Sequence, residues 1–514
     1  MKKLLISSIL TGALFTSCSL TEEPVGQLND LTALETFDNL AKYRNGFYNT
    51  LRGFTAGAYI GYTDIQADMF IGMQNNGNTL GVMSIGNFSS NTTDLTGAWS
   101  NPYASIASVN YFLHYCDLML ESDEITEEEK IQLQLFRGEA KWTRAYSYYY
   151  LVDHFCQAYT LTDPDAKASG VPIVTVYDPT SDYAKYPGRN TLKESFDLIE
   201  QDLADAYDDM SAYEQSLGLT DRIAFRKPNS YYLNTSIVQA FQARIALLRG
   251  EYALAVEKAE AVISNTNYKL CTTRDYSQIW TNDTGNELLF VLYGDQVQAT
   301  AVTATGSIWI NADPEKADYV AAANALAMYD EDNDVRYDTF FEERSLKVEG
   351  SYYSAPCFIK YPGNPSLNTT STNALKNLPK PFRLSETYLI LAEAAAASGD
   401  ATKANKALND IRKARLYNYE EQTYSGTTLI NEIRAERTKE LIGEGFRISD
   451  LRRWNLGFTR STDYTSRYQE VAEVLVYAGT QVTYLSGDYR YVWPIPKDEL
   501  EANPQIANEQ NPGY

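Results

Sequence analysis

Apolar positions recur at close to helical spacing along most of the chain. Between Leu31 and Leu51 they fall at Leu34, Phe37, Leu40, Ala41, Phe47, Tyr48 and Leu51, near the 3.6-residue period of an amphipathic helix. Tyr103 to Leu120 repeats the pattern with Ile106, Val109, Leu113 and Leu118. Thr126 with Glu129 three residues on is a capping box, opening a long helix that reaches Phe155. Its Tyr146, Tyr148, Tyr149, Tyr150 and Leu151 cover too much circumference for an exposed helix, which places it between neighbours.

Two later segments read as helix-turn-helix pairs. In Ser236 to Ser264, Ala240, Ala243 and Leu247 lead to Gly250, then to Tyr252, Ala255, Ala259, Val262 and Ile263. In Leu384 to Arg415, Ala392, Ala395 and Ala396 lead to Gly399 and Asp400, then to Ala404, Leu408 and Ile411. Small residues on facing helices with a Gly at the turn follow tetratricopeptide logic. With further pairs over 31–120 and 126–210, the expected fold is mostly α, a superhelical scaffold of tetratricopeptide-like pairs. Three irregular stretches interrupt it: 54–98, 266–320 and 345–380. They carry a strand-like run, Leu288–Tyr293, and a short apolar run, Cys357–Tyr361. Loops this long in a compact domain are usually functional or disordered, and the aromatics they carry favour function, so a loop-rich subdomain with a few short strands is expected.

The first residues follow another pattern. Lys2 and Lys3 precede a short apolar stretch from Leu4 to Phe15, and small Ser17 stands before Cys18. The stretch is too short to span a bilayer and reads as a signal peptide. The cysteine makes it a lipoprotein signal, cut before Cys18, whose thiol takes a diacylglycerol anchor. The expected organisation is a signal peptide at 1–17 and a lipidated tether at 18–30. An N-terminal helical region at 31–265 and a C-terminal region at 266–514 follow, the latter with a loop-rich insertion at 266–380 and a helical end.

Composition narrows the function. A net charge of −23 over 514 residues repels phosphate backbones, against nucleic-acid binding. Two histidines leave little material for a His-based metal site or a Ser-His-Asp triad. Cys116, Cys156, Cys271 and Cys357 are widely spaced and read as buried core thiols. Forty tyrosines give ample material for packing and for a few sugar-stacking faces.

The C-terminal third carries an ordered set of motifs. Arg383-Leu-Ser-Glu386 is followed by Tyr388-Leu389 and Ala392-Glu393-Ala394. Then come Glu436-Arg437-Thr-Lys439-Glu440-Leu441, Glu444-Gly445-Phe-Arg447, Asp450-Leu451-Arg452-Arg453-Trp454, Trp493-Pro494-Ile495-Pro496 and the terminal Asn511-Pro512-Gly513-Tyr514. Trp99, Tyr103, Ile106 and Asn110 add an N-terminal W-x3-Y-x2-I-x3-N helix. This series resembles the SusD/RagB family of Bacteroidetes outer-membrane lipoproteins over nearly the whole mature chain.

The resemblance implies a non-catalytic, surface-exposed, lipid-anchored protein on the outer membrane. Such a protein captures oligosaccharides and passes them to a SusC-like TonB-dependent transporter. Capture of peptide or another nutrient, in the manner of RagB, is the alternative, and a surface glycosidase is a third. Glu22 and Glu23, after the lipidated cysteine, resemble the family's surface-export signal. Asp334-Val-Arg336 resembles its Asp-Pro-Arg element, a structural pair.

The remaining motifs sort on chemistry. Glu436, Arg437, Glu440 and Glu444 lie three or four apart and read as ion pairing along a helix face, with Arg447 reaching Asp450, around a packed Trp454. Asp330 to Asp334 lacks the Gly and Glu of a calcium loop, so structural calcium is not indicated. No cofactor or metal is expected beyond the lipid on Cys18. A glycosidase needs two carboxyls at a fixed separation, which spacing cannot show, and the chain lacks a barrel's strand-helix rhythm. Loop aromatics are the binding candidates. Trp309 lies where glycan-binding relatives tend to place their platform, with Trp280 and Tyr293 beside the nearby strand. Tyr59 and Tyr62 sit near the amide-rich Gln74, Asn75 and Asn76. Trp99 belongs to the candidate set, although its shared position in the family favours helix packing. Trp142, Trp454 and Trp493 read as core.

Overall fold

The computed structural model describes residues 33–73, 80–298, 302–367, 374–472, 474–475 and 482–514. Its backbone is a series of packed helices. Thr93–Leu120 lies against Glu127–Phe155, which lies against Leu192–Ser216. Thr126 accepts from the Glu129 amide while the Glu129 carboxylate takes the Thr126 amide, so the expected capping box forms. The tyrosine-rich end of that helix is buried nearly all round.

The two helix pairs follow. Thr235–Arg249 turns at Gly250 into Tyr252–Ile263, and Leu384–Ala397 turns at Gly399 into Ala401–Arg415. Both glycines have positive φ, +78° and +85°, which an L side chain adopts only at a cost. Tyr252–Ile263 packs on Leu384–Ala397, which packs in turn on Gly426–Leu441. Alanines 243, 246, 255, 259, 392, 394, 395, 404 and 407 fill this contact, and their small side chains let the backbones approach closely. The scaffold is tetratricopeptide-like, as the alanine pattern predicted.

The described strands are β1 Phe70–Gly72, β2 Leu288–Phe290, β3 Tyr319–Ala321, β4 Phe341–Val348, β5 Ser351–Phe358, β6 Phe382–Arg383 and the paired β7 Phe458–Thr459 and β8 Thr483–Tyr484. Four form an antiparallel sheet in the order β1-β3-β5-β4, and β2 pairs with β6. β4 and β5 make a hairpin that sequence reading did not assign, most of it inside the irregular stretch 345–380. Its two-residue turn, Glu349-Gly350, has positive φ at both positions, the geometry that matches strand twist. The stretch 54–98 also differs from expectation, since it holds the helix Ala58–Gln66 as well as β1.

Two large cores result, and they do not follow the division at residue 265. Trp493, Ile495 and Ile506 from the chain's end join the N-terminal helices in one. Ile65 to Met73 join the loop-rich residues in the other. All four described cysteines are free and buried.

A buried ion lattice links the loop-rich part to the last helices. Arg415 contacts Glu287 and Glu440, each at 2.9 Å. Arg383 reaches the same two carboxylates at 2.9 Å and Glu444 at 2.6 Å. Lys360 meets Glu444 at 2.6 Å, Arg336 meets Asp334 at 2.8 Å and Glu436 at 2.7 Å, and Arg412 meets Glu436 at 2.8 Å. Five cations thus face five carboxylates with almost no water access. The pairing along one helix face that the sequence suggested is corrected here. Glu436, Glu440 and Glu444 bind arginines from other elements, and Arg447 reaches Asp68 at 2.8 Å, leaving Asp450 to Arg437. The Asp334–Arg336 pair and the packed Trp454 are as expected.

Removing one member of a buried pair strands its partner's charge, a loss of roughly 3–5 kcal/mol. Arg415→Met is therefore expected to lower the denaturation midpoint sharply, whereas Lys497→Met, at an exposed pair with Glu501, should leave it unchanged. Equal midpoints would show that the lattice carries no stability. Burial by itself would raise the carboxyls of Glu436, Glu440 and Glu444. The surrounding cations together overcome it and hold each below the ordinary glutamate value of 4.5: Arg336 with Lys439 and Arg412 at Glu436, Arg415 with Arg383 and Arg336 at Glu440, and Arg383 with Lys360 at Glu444. Groups depressed in the folded state contribute stability that is complete above their unfolded value and is lost as pH falls. Melting temperature should drop steeply as pH falls below about 4.5, and a profile that stays flat from there down to pH 3 would contradict this.

Candidate functional site

The helix Asn45–Phe54 has two faces. Phe47, Leu51 and Phe54 point into the core, while Asn45, Tyr48, Asn49 and Arg52, spaced by three, four and seven residues, share the opposite stripe. A second wall comes from Tyr231 and Tyr232, in the turn that leads into the helix capped by Asn234. That turn is pinned to β2, since the Val291 amide donates to the Ser230 carbonyl at 2.9 Å. Tyr293 and Gln298, just after β2, form the third wall. The Asp295 carboxylate accepts from the Tyr293 hydroxyl at 2.6 Å and from the Val297 and Gln298 amides at 2.9 Å, which shapes this loop.

Together these residues enclose a cavity of about 580 Å³, within the range of small-ligand sites. Tyr231, Tyr232 and Tyr293 are 42%, 52% and 42% exposed, unusual for rings this size. Tyr231 and Tyr293 meet edge to face at 5.0 Å, and Tyr48 and Tyr232 do so at 5.4 Å. The Tyr48 hydroxyl donates to Glu139 at 2.6 Å and accepts from the Leu233 amide at 3.2 Å, so the ring is locked. Burial and the neighbouring Glu139 hold that phenol well above the ordinary tyrosine value, and it stays protonated. Arg44, paired with Glu139, lies 4.9 Å from the Tyr232 ring centre. The site offers aromatic faces, amide groups and one guanidinium, the set that recognises a polyhydroxylated ring. Among the described residues no cluster of His, Cys, Asp and Glu is arranged to hold a metal ion.

Of the described residues expected from sequence, only Tyr293 lies here. Trp309 is fully buried, stacked on Tyr361 at 5.7 Å and packed on Phe358 and Phe70. The platform reading of Trp309 is corrected, because the sheet and the loop carrying Tyr361 cover both faces of the indole. Trp280 is likewise buried. It lies beside the ion lattice, with the Lys360 ammonium 4.3 Å from its centre. Tyr62 is buried edge-on against Trp493. Trp99 packs on Phe155 at 4.9 Å, the helix-packing role its position favours. Tyr59 is half-buried, its hydroxyl donating to the Gly97 carbonyl and accepting from Asn101. Tyr59 and Trp280 line a separate interior cavity of about 60 Å³, where the Tyr150 hydroxyl and the Trp280 indole nitrogen have no hydrogen-bond partner among the described residues. It has room for water, not for a sugar ring. Gln74, Asn75, Asn76 and Cys18 lie outside the described residues.

Sequence reading missed Tyr231 and Tyr232 and placed Tyr48 in the apolar set. The signal was present in the stripe Asn45, Tyr48, Asn49 and Arg52, a polar row on a helix whose other face is apolar.

Residues 342–514 match the profile of the SusD family. Residues 29–222 match that of a SusD-like family described as starch-binding associating with outer membrane. Among solved structures, a SusD superfamily protein of Bacteroides thetaiotaomicron is 24% identical, with a TM-score of 0.75 over 93% of this chain and 100% of its own. A SusD superfamily protein of Bacteroides vulgatus is 22% identical, with a TM-score of 0.75 over 93% of this chain and 99% of its own. The surface glycan-binding protein A of Bacteroides fluxus is 20% identical, with a TM-score of 0.68 over 93% and 100%. No curated protein matches the sequence. Matched by SusD profiles in both halves and sharing the SusD superfamily fold over nine-tenths of its length, the chain belongs to the SusD/RagB family.

Proposed function

We propose that the protein captures oligosaccharides in the tyrosine-lined pocket and passes them, unaltered, to a SusC-like TonB-dependent transporter. The observation that carries this reading is the cavity itself. Three partly exposed phenol rings and a row of amides surround a volume suited to a few sugar residues. C–H faces of a sugar stack on such rings, and its hydroxyls are met by Asn45, Asn49 and Gln298. The starch-binding description of the matching family and the glycan-binding name of the Bacteroides fluxus structure support it. No described helix is long and apolar enough to cross a membrane. Attachment to the outer membrane is assigned to acyl chains on Cys18, with 19–30 as the tether.

A glycan array followed by calorimetry on the chain from residue 31 tests the reading. Tyr232→Ala and Tyr293→Ala should each weaken binding by about tenfold, or about 1.4 kcal/mol. Trp309→Phe, in the core, should leave affinity unchanged. Absence of binding across the array would overturn the proposal, and release of shorter products on incubation would overturn the non-catalytic part.

A further inference from the structure

Arg52 is 8% exposed, lines the tyrosine pocket and has no carboxylate partner among the described residues. Its contacts are all with neutral acceptors. Nη1 donates to the Tyr293 carbonyl at 2.8 Å and, at 3.4 Å, to the Gln298 side-chain oxygen, while Nη2 donates to Asn49 Oδ1 at 2.7 Å. A guanidinium has five N–H donors, so three are engaged. The Nε donor and one on Nη2 remain.

Other buried arginines show how the fold normally treats such a charge. Arg144, Arg244, Arg336, Arg383 and Arg415 each meet a carboxylate. Arg460 has none, but it makes six hydrogen bonds to five oxygens of Ile65, Gln66, Ala67 and Ser84, and its donors are filled. Arg52 is neither paired nor filled. Burial alone acts on its titration, pushing it below the ordinary arginine value. Nearby, Arg44 is already neutralised by Glu139, and the Asp295 carboxylate is held by the Tyr293 hydroxyl and two amides. A cation whose two free donors open onto the pocket is placed for a ligand's oxyanion to complete it.

We infer that the glycan taken by this pocket is acidic, carrying a uronate carboxylate or a sulfate ester whose oxygens accept the two remaining Arg52 donors. A planar fork suits either oxyanion. The inference rests on the pocket being the saccharide site.

An array with neutral and acidic glycans, followed by calorimetry with matched pairs, tests it. Oligogalacturonate is compared with its carboxyl-reduced counterpart, and a sulfated oligosaccharide with its desulfated form. One acidic member is expected to bind at least tenfold more tightly than its neutral match, and which pair shows this identifies the oxyanion. Arg52→Gln should remove the preference and Arg52→Lys should keep part of it. If Arg52→Gln does not fold, the matched pairs on the unaltered protein decide alone. Neutral hits weakened by Tyr232→Ala, with no acidic preference, would overturn the inference and leave the saccharide pocket standing. No binding of any glycan would overturn both.

Discussion

Ten charged side chains meet in the interior where the loop-rich part joins the final helices, and the rest of the fold is arranged around keeping them paired. Glu287 precedes β2, Arg383 ends β6, Arg415 ends one scaffold helix, and Glu436 and Glu440 come from another. Each charge sits in low dielectric and is tolerable only with its partners in place. The lattice therefore acts as a registration device. It admits one relative position of strands, loops and helices, because any other leaves a bare charge. Trp280, Tyr276 and Tyr361 wall it from water, and this is why so large an aromatic fraction is core rather than binding surface.

The candidate site inherits its geometry from this arrangement. Glu287 anchors the start of β2, and three residues beyond β2 the chain emerges at Tyr293. β2 also holds the turn of Tyr231 and Tyr232. On the facing side, Glu139 from a long helix locks Tyr48 and Arg44. A pocket whose walls are fixed this way is largely preformed, so stacking a sugar ring costs little ordering of the protein.

Much of this was legible in the sequence, for identifiable reasons. The helix pairs announced themselves because Ala spacing and a turn Gly reflect local packing, as at Ala392, Ala395 and Gly399. The Thr126 capping box, the Asp334–Arg336 pair and the buried thiols were legible because each depends on neighbours or on residue type. The lattice was legible only as charge density, since Glu440 finds Arg383 and Arg415 through the tertiary fold. Trp309 misled because a tryptophan in a loop looks available, and only the sheet and Tyr361 show it covered. Tyr231 and Tyr232 were invisible for the converse reason. Nothing local says that β2 and the helix Asn45–Phe54 will converge on them, although the Asn45, Tyr48, Asn49, Arg52 stripe pointed to a functional helix face.

The central claim is that interior charge pairing presents Tyr48, Tyr231, Tyr232 and Tyr293 as a rigid saccharide cradle. A crystal structure of the ectodomain soaked with an oligosaccharide selected on the array tests this most directly. The account predicts sugar density between Tyr232 and Tyr293, with the surrounding backbone moved by less than about 1 Å. Sugar seated elsewhere, or a pocket that reorganises to admit it, would contradict the account.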